Sequence, residues 1–256
     1  MIRWCSYCQS LLGEVAPLTS FGITHGVCAR CAARLDADES LVEQNQSVIE
    51  FYRALFDAAS AGDQDTCALM VQQAREAGFS GAELLVGLVQ PALGKIGELW
   101  EIGKVSVADE HRFSAWCGRM LAMLDSPTPI PGPLDLLIVQ ARGNRHELGP
   151  RMVAQALAEH GIRVQVASAL TVHDLLQLSR ELQPAWIGFS CALPEHVESA
   201  LEATSQLAQA GFQGGVLLSG QALRRDPTAW VGRGAEVCLT IEDARELILR
   251  QAPARR

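Results

Sequence analysis

A chain of 256 residues, 48% hydrophobic and 20% charged, is long enough for two compact domains and has a soluble, globular composition rather than a disordered one. Its formal charge of −8, with lysine only at Lys95 and Lys104, argues against direct binding of nucleic acid, an affinity that rests on clustered Lys and Arg. No apolar run approaches the ~18 residues of a membrane span and the opening MIRWCSYCQS has no signal-peptide core, so a cytoplasmic protein without a membrane partner is expected.

Residues 1–38 read as a small metal knuckle. Cys5 and Cys8, then Cys28 and Cys31, form two Cys-x-x-Cys pairs separated by nineteen residues. Four thiolates are the ligand set of a closed structural zinc site, with no position left open for water. The remaining cysteines, at 67, 117, 191 and 238, lie singly in apolar contexts and read as buried thiols of a reducing compartment. His25 is read as a loop residue. Arg3, Arg30 and Arg34 are balanced by Glu14, Asp36 and Asp38, a poor composition for DNA.

From residue 43 to 125 apolar residues recur at helical spacing, with breaks at Gly62-Asp63, Gly78-Phe79-Ser80 and residues 103–106. Three breaks predict four helices, placed as a unit over residues 39–125. Four prolines between 126 and 133 cannot continue a helix and predict a linker. Beyond it, apolar runs at 134–139, 164–167, 186–190, 216–218 and 237–239 alternate with amphipathic segments, the pattern of parallel βαβ units. Residues 134–251 are therefore read as a five-stranded doubly wound α/β domain. Its ligand is expected beyond the carboxyl ends of the strands.

The loop after the first strand, residues 141–149, lacks the GxGxxG that a dinucleotide would require. It carries His146-Glu147-Leu148-Gly149 instead, which resembles the cobalamin-binding signature. Ser190, ending the third strand, resembles the serine of that family that bonds the buried nucleotide base. Ser219-Gly220, after the fourth strand, resembles its double-glycine turn, with Ser219 in place of the first glycine. The resemblance implies a flavodoxin-like domain in which His146 is the lower cobalt ligand and Gly149 makes room for the displaced nucleotide tail. It departs from the family at Asn144, where a carboxylate is usual. An amide there is expected to orient the imidazole by a hydrogen bond while raising its basicity less.

Residues 88–100 resemble the third helix of a four-helix cobalamin cap, and Trp100 is followed after nine residues by Glu110-His111. That spacing resembles the light-sensing, adenosylcobalamin-dependent regulators and their antirepressor relatives. Ser106 and Asp109 form a capping-box-like helix start that lets Trp100 close one helix while Glu110 and His111 open the next. The resemblance implies that Trp100 and Glu110 surround the adenosyl group and that His111 becomes a cobalt ligand after illumination. The segment around the cysteines also resembles zinc ribbons attached to bacterial signalling proteins.

The expected function is a non-enzymatic, cobalamin-dependent photoreceptor. Its light-dependent output passes through a protein partner or self-association, because the knuckle stands where the regulators carry a helix-turn-helix. A homo-oligomer is expected. The alternatives are a corrinoid carrier of methyl groups between methyltransferases, and a sensor that holds a bilin or haem in place of cobalamin or beside it.

Overall fold

A computed structural model describes residues 1–5, 8, 10–35, 47–124, 132–168 and 170–250. The chain divides into two compact units, residues 1–125 and 126–256. The expected linker at 126–133 and the boundary near residue 38 lie largely outside the described residues.

In the first unit the breaks between helices fall at the glycine-containing turns, and the helix starts are set by side-chain caps. Helix α2 (Ser47–Ala61) is followed by α3 (Gln64–Glu76), whose N-cap Asp63 accepts from the Thr66 N–H. Ser80 and Glu83 cap each other's backbone and start α4 (Gly81–Leu84). It runs through one π turn (Leu85–Val89) into α5 (Gln90–Glu101). Ser106 and Asp109 make the same reciprocal box at the start of α6 (Val107–Met123), as the sequence predicts.

The cysteine segment builds a three-stranded sheet in the order β2 (Leu11–Glu14), β1 (Ile2–Cys5), β3 (Ile23–Gly26), followed by α1 (Ala29–Leu35). His25, expected in a loop, is a β3 residue paired with Trp4. The segment is not a loose appendage. Trp4 is fully buried, its Nε1 donates to the Gly87 carbonyl at 3.2 Å, and its ring lies 5.9 Å from that of Phe79. A Cβ on Gly87 would stand 2.0 Å from Trp4 Cζ2, and one on Gly94 would stand 1.9 Å from Phe21 Cγ. Those glycines are about two helical turns apart, so one helix stripe forms sockets for both rings. Gln90 Nε2 adds a hydrogen bond to Glu14 Oε1 at 2.8 Å.

The second unit is a five-stranded parallel sheet of order β5 (Val164–Ala167), β4 (Leu136–Gln140), β6 (Trp186–Ser190), β7 (Gly215–Ser219), β8 (Glu236–Val237). Helices α7 (Leu148–Ala158), α8 (Val172–Leu182), α9 (Pro194–Gln209), α10 (Gln221–Arg225) and α11 (Ile241–Arg250) connect and cover it. Strand residues alternate between two cores. Leu137, Val139, Ile187, Phe189 and Leu218 pack with α8, α9 and α10. Leu136, Ile138, Trp186 and Leu217 pack with α7 and α11. This is the expected α/β class, and the chain reverses direction across the sheet between β4 and β6, the switch point where a ligand crevice opens. Among the described residues no helix is long and apolar enough to cross a membrane.

Truncating Trp4 to Ala should destabilise the first unit by about 3–5 kcal/mol. Gly87→Ala should destabilise it by about 1–3 kcal/mol through overpacking. Both should lower the thermal midpoint of the full chain. A Gly87→Ala protein that melts at the wild-type temperature would show that the ring does not occupy that socket.

Candidate functional site

The candidate site is the carboxyl edge of the sheet around β4 and β6. Gln140 pairs with Ser190, and Ser190 with Ser219, so three polar residues end three adjacent strands in register. By the two-residue alternation they continue the face of Leu136, Ile138 and Leu217, toward α7 and α11.

The loop leaving β4 is held by Asn144, which is buried. Its Nδ2 donates to the Ser190 carbonyl at 2.8 Å and its Oδ1 accepts the His146 backbone N–H at 3.0 Å. This corrects the expectation that Asn144 orients the imidazole: the amide fixes the backbone at His146. The His146 side chain is left exposed beyond the strand end, directly before Glu147, the N-cap position at which α7 begins. Gly149, in the first turn of α7, is exposed, and a Cβ there would meet no atom within 4 Å. Nothing in the chain itself requires glycine at that position.

Gly220 is different. It has φ 124 and ψ −179, and a Cβ would lie 2.2 Å from the Cys191 carbonyl oxygen. Only glycine adopts that backbone without strain, and it lets the β7 exit approach the β6 exit. Ser219 accepts the Cys191 N–H at 2.8 Å on the same seam. His146, Ser190, Ser219 and Gly220 thus share one sheet edge, with Gly149 at the adjoining helix start. His196, at the start of α9, is buried, and its Nδ1 accepts from the backbone N–H groups of Ala192 and Leu193 at 3.3 and 3.2 Å.

The other candidate residues stand in the helical unit. Trp100, in the last turn of α5, is 47% exposed, with exposed Ile102 and Val107 nearby in sequence. Glu110 Oε1 accepts from Ser114 at 2.6 Å, and its Oε2 lies 3.6 Å from Nε2 of the exposed His111. Trp100 and Glu110-His111 flank a single turn between α5 and α6.

In the knuckle the four cysteine sulfurs lie within 4.8 Å of one another, a set able to hold a metal ion. Cys8 and Cys28 are 3.7 Å apart, and backbone N–H groups of Cys28 and Cys31 point at the sulfurs of Cys5 and Cys28. Burial and neighbouring thiols push Cys31 up to about 12. Burial also pushes Cys8 upward, but hydrogen bonds from Ser10, Arg30 and Cys5 outweigh it and draw that thiol down to about 5. His25 is not part of the cluster.

Comparison with known proteins bears on both units. A B12 binding domain model matches residues 52–125 and a second B12 binding domain model matches residues 134–249. The chain belongs to the B12-binding family. The HTH-type transcriptional repressor CarH of Myxococcus xanthus is 26% identical over 149 residues, which is 58% of this chain and 46% of the repressor. This chain thus matches about half of that repressor's length.

The monomethylamine corrinoid protein of Methanosarcina barkeri has the same fold, with a TM-score of 0.66 at 12% identity over 78% of this chain and 98% of that one. A cobalamin-binding protein from Desulfitobacterium hafniense DCB-2 superposes with a TM-score of 0.42 at 18% identity, covering 78% and 97% of the two chains. The sheet edge fits the group these domains bind. An exposed imidazole is held at the switch point, and space opens beside the first turn of α7 where the chain has no reason of its own for glycine.

Sequence reasoning reached His146, Ser190 and Gly220 through motif and topology. It passed over Gln140, whose signal was a single polar residue closing the run Leu-Leu-Ile-Val. Gly220→Ala should destabilise the sheet unit by about 1–3 kcal/mol, the cost of a side chain in glycine-only backbone. Chemical denaturation of the full chain reads this, and an unchanged midpoint would contradict the close approach at Cys191.

Proposed function

We propose that the chain is a cytoplasmic, cobalamin-dependent light sensor whose output is a change in self-association or in the binding of a protein partner. The observation that carries the cobalamin part is the loop at residues 144–149, where Asn144 fixes the backbone so that His146 projects from the switch point of the sheet. In this reading His146 is the lower cobalt ligand. Ser190, Ser219 and Gly220 line the course of the nucleotide tail, and Gly149 leaves it room. Adenosylcobalamin supplies a cobalt–carbon bond that visible light cleaves. Trp100 and Glu110 would hold its adenosyl group, and His111, exposed in the first turn of α6, would offer an imidazole to cobalt after illumination.

What supports the light-sensing part is the spacing of Trp100 and Glu110-His111 around the α5–α6 turn, together with the likeness to the Myxococcus repressor. A ligand shifts a conformational equilibrium only through differential affinity, and an imidazole–cobalt bond made in one state alone is such a difference. The corrinoid protein of Methanosarcina shares the fold and favours a methyl-carrier as the second reading.

Size exclusion and absorption spectroscopy of the full chain loaded with adenosylcobalamin, before and after illumination, separate these readings. The sensor changes both spectrum and elution volume. His111→Ala still loses its adenosyl group but reaches a different final spectrum and does not make the size change. Identical illuminated spectra and sizes for the two proteins would remove His111 from the mechanism, and a wild type in which light changes neither size nor the binding of any protein partner would favour the carrier.

We further propose that Cys5, Cys8, Cys28 and Cys31 hold one structural zinc ion. A tetrahedral site with Zn–S of ~2.3 Å has sulfurs about 3.8 Å apart, close to the 3.7 Å between Cys8 and Cys28. A divalent cation lets four crowded thiolates ionise together. Because Trp4, in β1 beside Cys5, packs into the helices at Gly87 and Phe79, chelation should lower the melting temperature of the helices as well as disorder the knuckle. Metal analysis should find about one zinc per chain. A metal-free protein of undiminished stability would contradict the site.

A further inference from the structure

Gln140 closes a strand whose other residues are aliphatic and is 6% exposed. Its Nε2 is buried and has no hydrogen-bond partner among the described residues. An amide nitrogen in that condition costs free energy that a leucine would not. The same face one and two layers down is Ile138 and Leu136, so the fold offers a place for an aliphatic side chain and holds an amide instead. Its neighbours across the sheet in register are Ser190 and Ser219, which are half-buried. At ~4.8 Å between strands, the three make a polar row about 10 Å long at the end of an apolar face, between the starts of α7 and α11.

We propose that Gln140 is a tail-reading residue of the corrinoid site. Its Nε2 donates a hydrogen bond to an acceptor on the buried nucleotide tail, a ring nitrogen of the base or an oxygen of its ribose. The inference rests on the cobalamin reading and deepens it. When His146 takes the lower position on cobalt, the displaced base carries away an in-plane lone pair, and burying that acceptor unpaired is unfavourable for the same reason that burying the Gln140 donor is. Each group supplies what the other lacks. The serine hydroxyls beside it either donate or accept. The amide nitrogen only donates, so Gln140 is the member of the row that requires an acceptor in the ligand.

This role gives two effects of opposite sign, which a packing role does not. Gln140→Leu removes the unpaired donor from the apo protein, so its thermal midpoint should rise by about 2 °C or more. The same variant leaves the tail's acceptor unpaired in the complex, so cobalamin affinity should fall about tenfold, the ordinary loss for one buried hydrogen bond. Cobinamide, the corrinoid without the nucleotide tail, should bind wild type and variant alike. Gln140→Met, which keeps the length of the side chain, should behave as Gln140→Leu does and guards against a misfit of the branched side chain.

The experiment is calorimetric titration of the full-length wild type and both variants with cobalamin and with cobinamide, alongside melting of the apo proteins. A lowered apo midpoint in both variants would show that the amide serves the fold itself and overturn the proposal. So would equal weakening of the two corrinoids, or no change in either. A wild type that binds neither corrinoid takes down the cobalamin reading and this inference with it. A wild type that binds cobalamin, with variants that bind it equally well, takes down only the role of Gln140.

Discussion

The Asn144 side chain joins the exits of the two strands between which the sheet reverses its order. One end of its amide holds the Ser190 carbonyl at the close of β6, and the other holds the backbone N–H of His146 after β4. A loop leaving a strand at this point has no regular pairing of its own, so its path must be set by side chains. With the amide buried and both ends engaged, the path from Ala141 to His146 is fixed and the imidazole is left outside. Gly220 does the equivalent for the next strand, allowing the β7 exit to press against Cys191 at a distance no Cβ would permit. Together they give the edge a defined shape from β4 to β7.

Much of this was legible in the sequence because the strands of a covered parallel sheet are short apolar runs. The runs at 164–167 and 186–190 coincide with β5 and β6. The last run, at 237–239, yields only the two residues Glu236–Val237 as strand, paired with β7. The role of Asn144 was misplaced for a physical reason: residue spacing relates it to His146 but does not say whether its amide meets the ring or the backbone. Gln140 was missed because a polar residue ending a strand is ordinary until the structure shows it buried.

The docking of the knuckle was not legible at all. Gly87 and Gly94 look like any glycines in a helix, and what requires them are Trp4 and Phe21, about 70 to 80 residues away in sequence. The consequence concerns cooperativity. A small cysteine sheet with its own core would be an independent module, but this one gives its fully buried tryptophan to the helices. Whatever fixes Cys5 therefore also fixes Trp4 beside it in β1, and through Trp4 the π turn of the helix whose last turn carries Trp100. The thiols and the α5–α6 turn belong to one packed body, so the chemical state of the cysteines bears on the stability of the helices.

The central claim is that a histidine of the protein, His146, occupies the lower position on cobalt and that the nucleotide base does not. Electron paramagnetic resonance of the reduced, cobalt(II) form tests this directly when the protein is grown with 15N-histidine and loaded with unlabelled cobalamin. An axial 14N nucleus splits each cobalt line into three and an axial 15N nucleus splits it into two. The account predicts that labelling turns triplets into doublets, and that His146→Ala abolishes the doublets. Triplets that persist in the labelled wild-type protein would place the cofactor's own base on cobalt and contradict the account.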